Sequence, residues 1–174
     1  MLLTLCLLLS STLLSPTQTP QQATGRIRAL LPLPWWSAEP DTIRGRWGDE
    51  LLGGYDCSVA GARQRKCFFW TQREACGNDD FKFRATADGV RLSEFGVLAC
   101  TSDLKSARAL LAKWRSLVRI PRDAQGTSAT DLTAVKERYV WQTAEGVITA
   151  TLEATNYTAD GWQVQLYLAL TPGR

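Results

Sequence analysis

The chain has 174 residues, a net charge of +3, no histidine, and 45% hydrophobic against 21% charged residues. That balance excludes a disordered chain and is too weakly basic to imply nucleic acid as a partner. The missing histidine excludes Ser-His and Cys-His nucleophile pairs, histidine-type zinc sites and any imidazole pH switch, and no motif implies a cofactor.

Residues Met1–Ser15 read MLLTLCLLLSSTLLS, with eight leucines and no charge. An apolar run this short cannot cross about 30 Å of hydrocarbon, which takes roughly 20 helical residues. It fits the apolar region of a secretory signal peptide followed by polar residues, and its removal leaves no transmembrane span. The expected organisation is therefore a signal peptide over 1–15, a proline-rich leader over 16–40 and one domain over 41–174.

The leader holds Pro16, Pro20, Pro32, Pro34 and Pro40 with no helical or strand period, so a semi-extended segment is expected rather than a packed element. Its Leu30–Trp36 stretch is apolar enough to lie against the domain. Short strands are expected around Ile43–Trp47 and Lys66–Gln72.

Four cysteines follow the leader: Cys57, Cys67, Cys76 and Cys100. An even number in an exported chain, without a Cys-x-x-Cys spacing, points to disulfides and away from metal. Each bridge restricts the unfolded chain and contributes about 2–4 kcal/mol. The loop between the first two carries Arg63, Arg65 and Lys66, a basic cluster that a cystine would brace for binding.

Phe81, Phe83, Ala85 and Ala87 alternate with polar residues up to Asp88-Gly89, after which Val90 and Leu92 alternate in turn. Asp-Gly between alternating runs is a strong hairpin signal. A two-residue turn there pairs Phe81 with Gly96, Ala85 with Leu92 and Ala87 with Val90, and leaves Glu94 opposite Phe83. Extended backwards, this register falls one residue short of joining Cys76 to Cys100, an offset that a bulge corrects. The expected bridges are thus Cys76–Cys100 and Cys57–Cys67. Glu74, Asp79 and Asp80, near Cys76, are candidates for paired acid–base carboxylates.

One helix is expected over residues 103–118, where Leu104, Ala107, Leu111, Trp114 and Val118 recur at steps of three and four. Ser102 or Thr101 would cap its start. Lys105, Arg108, Arg115 and Arg119 form a basic stripe away from the apolar one. Residues 101–122 carry six bases and one acid, whereas 123–174 carry three bases and six acids, a gradient able to orient a partner. A polar loop over 121–133 leads to three alternating strands, 134–143, 147–155 and 162–170. The last turns Trp162, Val164, Leu166, Leu168 and Leu170 to one side.

These elements describe a two-layer α+β fold, an antiparallel sheet of hairpin and three-strand meander packed on one main helix. The function expected is an exported, non-catalytic protein-binding domain, periplasmic or secreted, of the inhibitor, immunity-type or envelope-accessory kind. Its partner would be another protein, acidic where it meets the basic residues, or else anionic headgroups. The alternatives are a small carboxylate-dependent hydrolase and a small-ligand carrier.

Overall fold

A computed structural model describes residues 19–31, 35–47, 68–70, 77, 79–87, 89–158 and 161–173. Among these residues the fold is mixed α+β, with a seven-stranded, wholly antiparallel sheet and three α-helices. The strands are β1 (Phe68–Trp70), β2 (Asp79–Thr86), β3 (Gly89–Thr101), β4 (Gln125–Thr130), β5 (Ala134–Gln142), β6 (Gly146–Thr158) and β7 (Gly161–Pro172). Their order across the sheet is β1-β2-β3-β7-β6-β5-β4, so the hairpin and the meander join where β3 pairs with β7.

Alternation decides which face is buried, because successive strand residues point to opposite sides. Along β7, Trp162, Val164, Leu166, Leu168 and Leu170 are buried, as are Ile148, Ala150, Leu152 and Ala154 along β6. Each fully buried leucine or valine stabilises the fold by about 1.5–3 kcal/mol. The helix α3 (Leu104–Val118) lies against β7, β6 and β3 and buries Ala107, Leu110, Leu111, Trp114 and Val118. Asp103, not Ser102 or Thr101, is its cap: Asp103 Oδ1 accepts from the Ser106 backbone N–H at 2.8 Å.

The single helix of the expectation is joined by two others, both in the stretch read as leader or strand. Pro20–Leu30 forms α1, with Ala23, Thr24, Ile27 and Leu30 buried in the common core. The prolines misled the extended reading. Pro20 stands at the first helical turn, where a missing N–H costs nothing, and Thr19 and Gln22 close a capping box. The Gln22 N–H donates to Thr19 Oγ1 at 3.2 Å, and the Thr19 N–H donates to Gln22 Oε1 at 2.9 Å. Pro40–Trp47 forms α2 where a strand was expected; Pro40 again opens the helix, and Ile43 and Trp47 are buried four residues apart. Between them Trp36 and Ala38 are buried, and the Leu92 N–H donates to Ala38 O at 2.9 Å along the part of β3 that β7 does not reach. Of the expected apolar stretch Leu30–Trp36, Leu30 and Trp36 are buried in the core.

The hairpin register also differs. The closing pair is Thr86–Gly89, followed by Ala85–Val90 and Phe83–Leu92; a bulge then leaves Ser93 unpaired, and Lys82–Glu94, Phe81–Phe95 and Asp80–Gly96 continue the ladder. The expected register put Glu94 across from buried Phe83. Closing the turn at Thr86–Gly89 sets Leu92 across from Phe83 instead, and the bulge then sets Phe95 rather than Glu94 across from Phe81 and turns Glu94 to the open face beside Lys82. Ser93 Oγ donates to Lys82 O at 3.0 Å, fixing the extra residue. Part of the expected 121–133 loop is β4, a neutral, wholly exposed edge strand whose one apolar residue, Ala129, gives no alternation to read.

Candidate docking surface

Helix α3 divides cleanly into a buried and an exposed side, and the exposed side is basic. Lys105, Arg108, Lys113 and Arg119 are all exposed, with Ala109, Ala112 and Ser116 between them, and Arg122 is exposed just beyond the helix. None of the five bases is in an ion pair among the described residues. The helix itself carries no acid; the nearest is its cap, Asp103, whose carboxyl accepts from Ser106 and Ser102 and is held below the usual carboxylate range by those bonds. Arg119 ends the helix in the left-handed conformation, at φ 52° and ψ 49°.

Arg115 behaves differently from its neighbours. Its guanidinium sits 3.2 Å from Glu137 on β5, and Tyr139 and Glu137 together favour its charged form. Arg115 therefore fastens the helix edge to the sheet, while Lys105, Arg108 and Arg119 face outward. Lys113 belongs to the same exposed side and lay outside the expected stripe; its place four residues after Ala109 and three before Ser116 was the available signal. The basic loop residues Arg63, Arg65 and Lys66 lie outside the described residues, as do the signal segment, Cys57, Cys67, Cys76 and Glu74. Cys100 lies partly exposed near the end of β3.

The two described candidate carboxylates do not converge. Asp79 and Asp80 are successive residues of β2 and point to opposite faces of the sheet. Asp79 is fully buried, with Arg26 of α1 and the Trp47 indole N–H of α2, at 3.1 Å, on the same oxygen. It ties the two helices to the end of the sheet. Asp80 faces the open side across from Gly96, where burial and then the charge of Asp79 raise its pKa, opposed by Lys82.

On that open side Lys82 Nζ lies 2.6 Å from Glu94 Oε2, and the Tyr167 hydroxyl donates to the same carboxylate oxygen. Burial and the Glu94 hydrogen bond raise the Tyr167 pKa, and the Glu94 hydrogen bond raises that of Lys82. The amine thus stays protonated and the phenol neutral, a cross-strand fastening of β2, β3 and β7 with neither group poised as a base. No group of three or more potential metal ligands occurs among the described residues, and no helix among them is long and apolar enough to cross a membrane. No family model matches the chain, and neither a curated protein nor a solved structure matches it.

Proposed function

We propose that this chain is an exported, non-catalytic protein-binding domain, periplasmic or secreted, that presents the outer side of α3 to an acidic protein surface. An inhibitor, an immunity-type factor and an envelope accessory all fit that description. In the finer architecture we favour, the helices form a second layer over the sheet with α3 as its main member, and disulfides stabilise the whole. One observation carries the reading: a run of exposed bases, unpaired among the described residues, on a helix without acids. Such a run is costly in mutual repulsion and is relieved by an anionic partner.

A protein is favoured over a membrane because the lane between the bases is Ala109, Ala112 and Ser116. Those side chains let a partner's backbone approach, and they offer nothing large to insert among acyl chains. The hydrolase alternative needs two carboxyls in one pocket, and Asp79 and Asp80 stand on opposite faces of β2.

The test uses a labelled polyglutamate peptide and phosphatidylserine vesicles as defined anionic probes. The expected result is salt-sensitive peptide binding that weakens by about tenfold in Lys105→Glu/Arg108→Glu. The Arg28→Glu/Arg138→Glu control, equal in charge but placed elsewhere, should lose much less. Equal losses in the two variants would overturn the assignment to α3, and vesicle binding without peptide binding would transfer the surface to membranes.

A further inference from the structure

We propose that β4 is a pairing edge for a second copy of this chain, the two β4 strands running antiparallel about a two-fold axis at Ser128. This rests on the sheet edge and is independent of the α3 reading.

Natural sheets blunt their edges with charge, proline, bulges or very short strands, because an open row of backbone groups recruits other strands. At one edge of this sheet β1 has only three residues. At the other edge β4 reads Gln-Gly-Thr-Ser-Ala-Thr, with no charge, no proline and an unbroken register to β5. All six of its residues are exposed. Gly126 lies under the Tyr139 ring, where a Cβ would come 3.1 Å from Tyr139 Cε1, so the backbone there carries no bulk of its own.

A second observation marks the same edge. Leu132, in the turn just past β4, is 94% exposed. The other large exposed apolar side chain among the described residues, Tyr157, stands at the same end of the sheet, since the Asn156 N–H donates to Thr133 O at 2.8 Å.

Charge then selects the occupant and the register. A two-fold axis normal to a continuous antiparallel sheet pairs residues that point to the same face, which leaves registers centred on Thr127 or on Ser128. The Thr127 register sets Asp123 against Asp131 of the other copy, a like-charge conflict. Asp131 is held ionised by the N–H groups of Thr133 and Ala134, so it cannot relieve that conflict. The Ser128 register instead sets Gln125 against Asp131, an amide to a carboxylate, and Ala124 against Leu132, which covers the exposed leucine. Both contacts occur twice by symmetry. A six-residue edge is a small interface, so self-association is expected in the range of about 10–100 µM.

The experiment is sedimentation of the full mature chain from about 1 to 500 µM. A monomer–dimer equilibrium is expected. Ser128→Lys and Ser128→Glu each place like charges face to face on the axis and should weaken association by about tenfold or more, and an equimolar mixture of the two should restore it. Leu132→Ser, in an exposed turn, should weaken it as well without touching the strand. A chain that remains monomeric throughout, a dimer indifferent to both Ser128 variants, or a mixture that fails to restore association would each overturn the proposal.

Discussion

The indole nitrogen of Trp114 donates to the Thr24 hydroxyl at 3.1 Å, joining α3 to α1 across 90 residues of sequence. Trp114 is fully buried and Thr24 nearly so, and Thr24 Oγ1 in turn donates to Pro20 O at 2.6 Å. The helix that opens the described chain is thereby tied to the core by a satisfied polar link as well as by Ile27 and Leu30. Thr24→Val keeps the shape and removes the acceptor, leaving a buried indole N–H unpaired at a cost of about 1–3 kcal/mol. Trp114→Phe combined with Thr24→Val should cost less than the sum of the two single changes. Additive losses in urea unfolding would show that the hydrogen bond contributes nothing.

Asp79 is the fully buried acid at the heart of the α1–α2–β2 junction, and Arg26 is its charged partner. Arg26→Met should destabilise the fold by about 3–5 kcal/mol, because the buried carboxylate then loses the charge paired with it, which the neutral Trp47 donor does not replace. Asp79→Asn should cost less: the Arg26 side chain is 17% exposed and can turn its charge to water. Thermal unfolding of both variants ranks them, and a milder loss for Arg26→Met than for Asp79→Asn would contradict this assignment.

These two links explain why the sheet was more legible in the sequence than the helices around it. Period-two alternation over 147–155 and 162–170 reads directly as buried faces, and the α3 stripe reads as a helix, since each pattern reports its own burial. The burial of α1 is settled by partners far away in sequence, Trp114 and Asp79, and its local signal was a capping box beside a proline. Proline at a first turn and proline as a breaker look alike until the following period is counted. Asp79 read as a candidate acid–base carboxylate for the same reason: only the fold brings Arg26 to it. The basic side of α3 was visible from spacing alone, but the separation of Arg115 from Lys105 and Arg108 required Glu137, which sits on β5.

Asp80 provides a pH-dependent test. Burial and the neighbouring Asp79 raise its folded-state pKa above the ordinary carboxylate value. A raised carboxylate pKa contributes stability below the unfolded value, and that contribution is lost as the pH rises through the folded value. At neutral pH the ionised Asp80 is therefore a small liability, moderated by its exposure and by Lys82. Asp80→Asn should raise the melting temperature at pH 7 by up to about 2 °C, with the gain closing as the pH falls to about 3. A variant less stable than the parent at pH 7 would show that the Lys82 attraction outweighs the desolvation.

The ladder beyond the bulge predicts a partner for Cys100. Beyond it the ladder runs Lys82–Glu94, Phe81–Phe95, Asp80–Gly96 and Asp79–Val97, each step moving one residue back on β2 and one forward on β3. Were the ladder to continue by the same steps beyond Asp79, position 76 would face Cys100. Directly opposed residues on antiparallel strands have Cβ atoms about 4.5–5.5 Å apart, and a disulfide needs about 3.5–4.5 Å, so a small local adjustment suffices. Peptide mapping without reduction should recover Cys76 joined to Cys100 and leave Cys57 with Cys67. Deleting Ser93, the residue that the ladder leaves unpaired, should keep Lys82–Glu94 and the pairs beyond it in step and leave the same bridge formed. Cys100 recovered with Cys57 or Cys67 from the intact chain would mean that the register does not run on past Asp79.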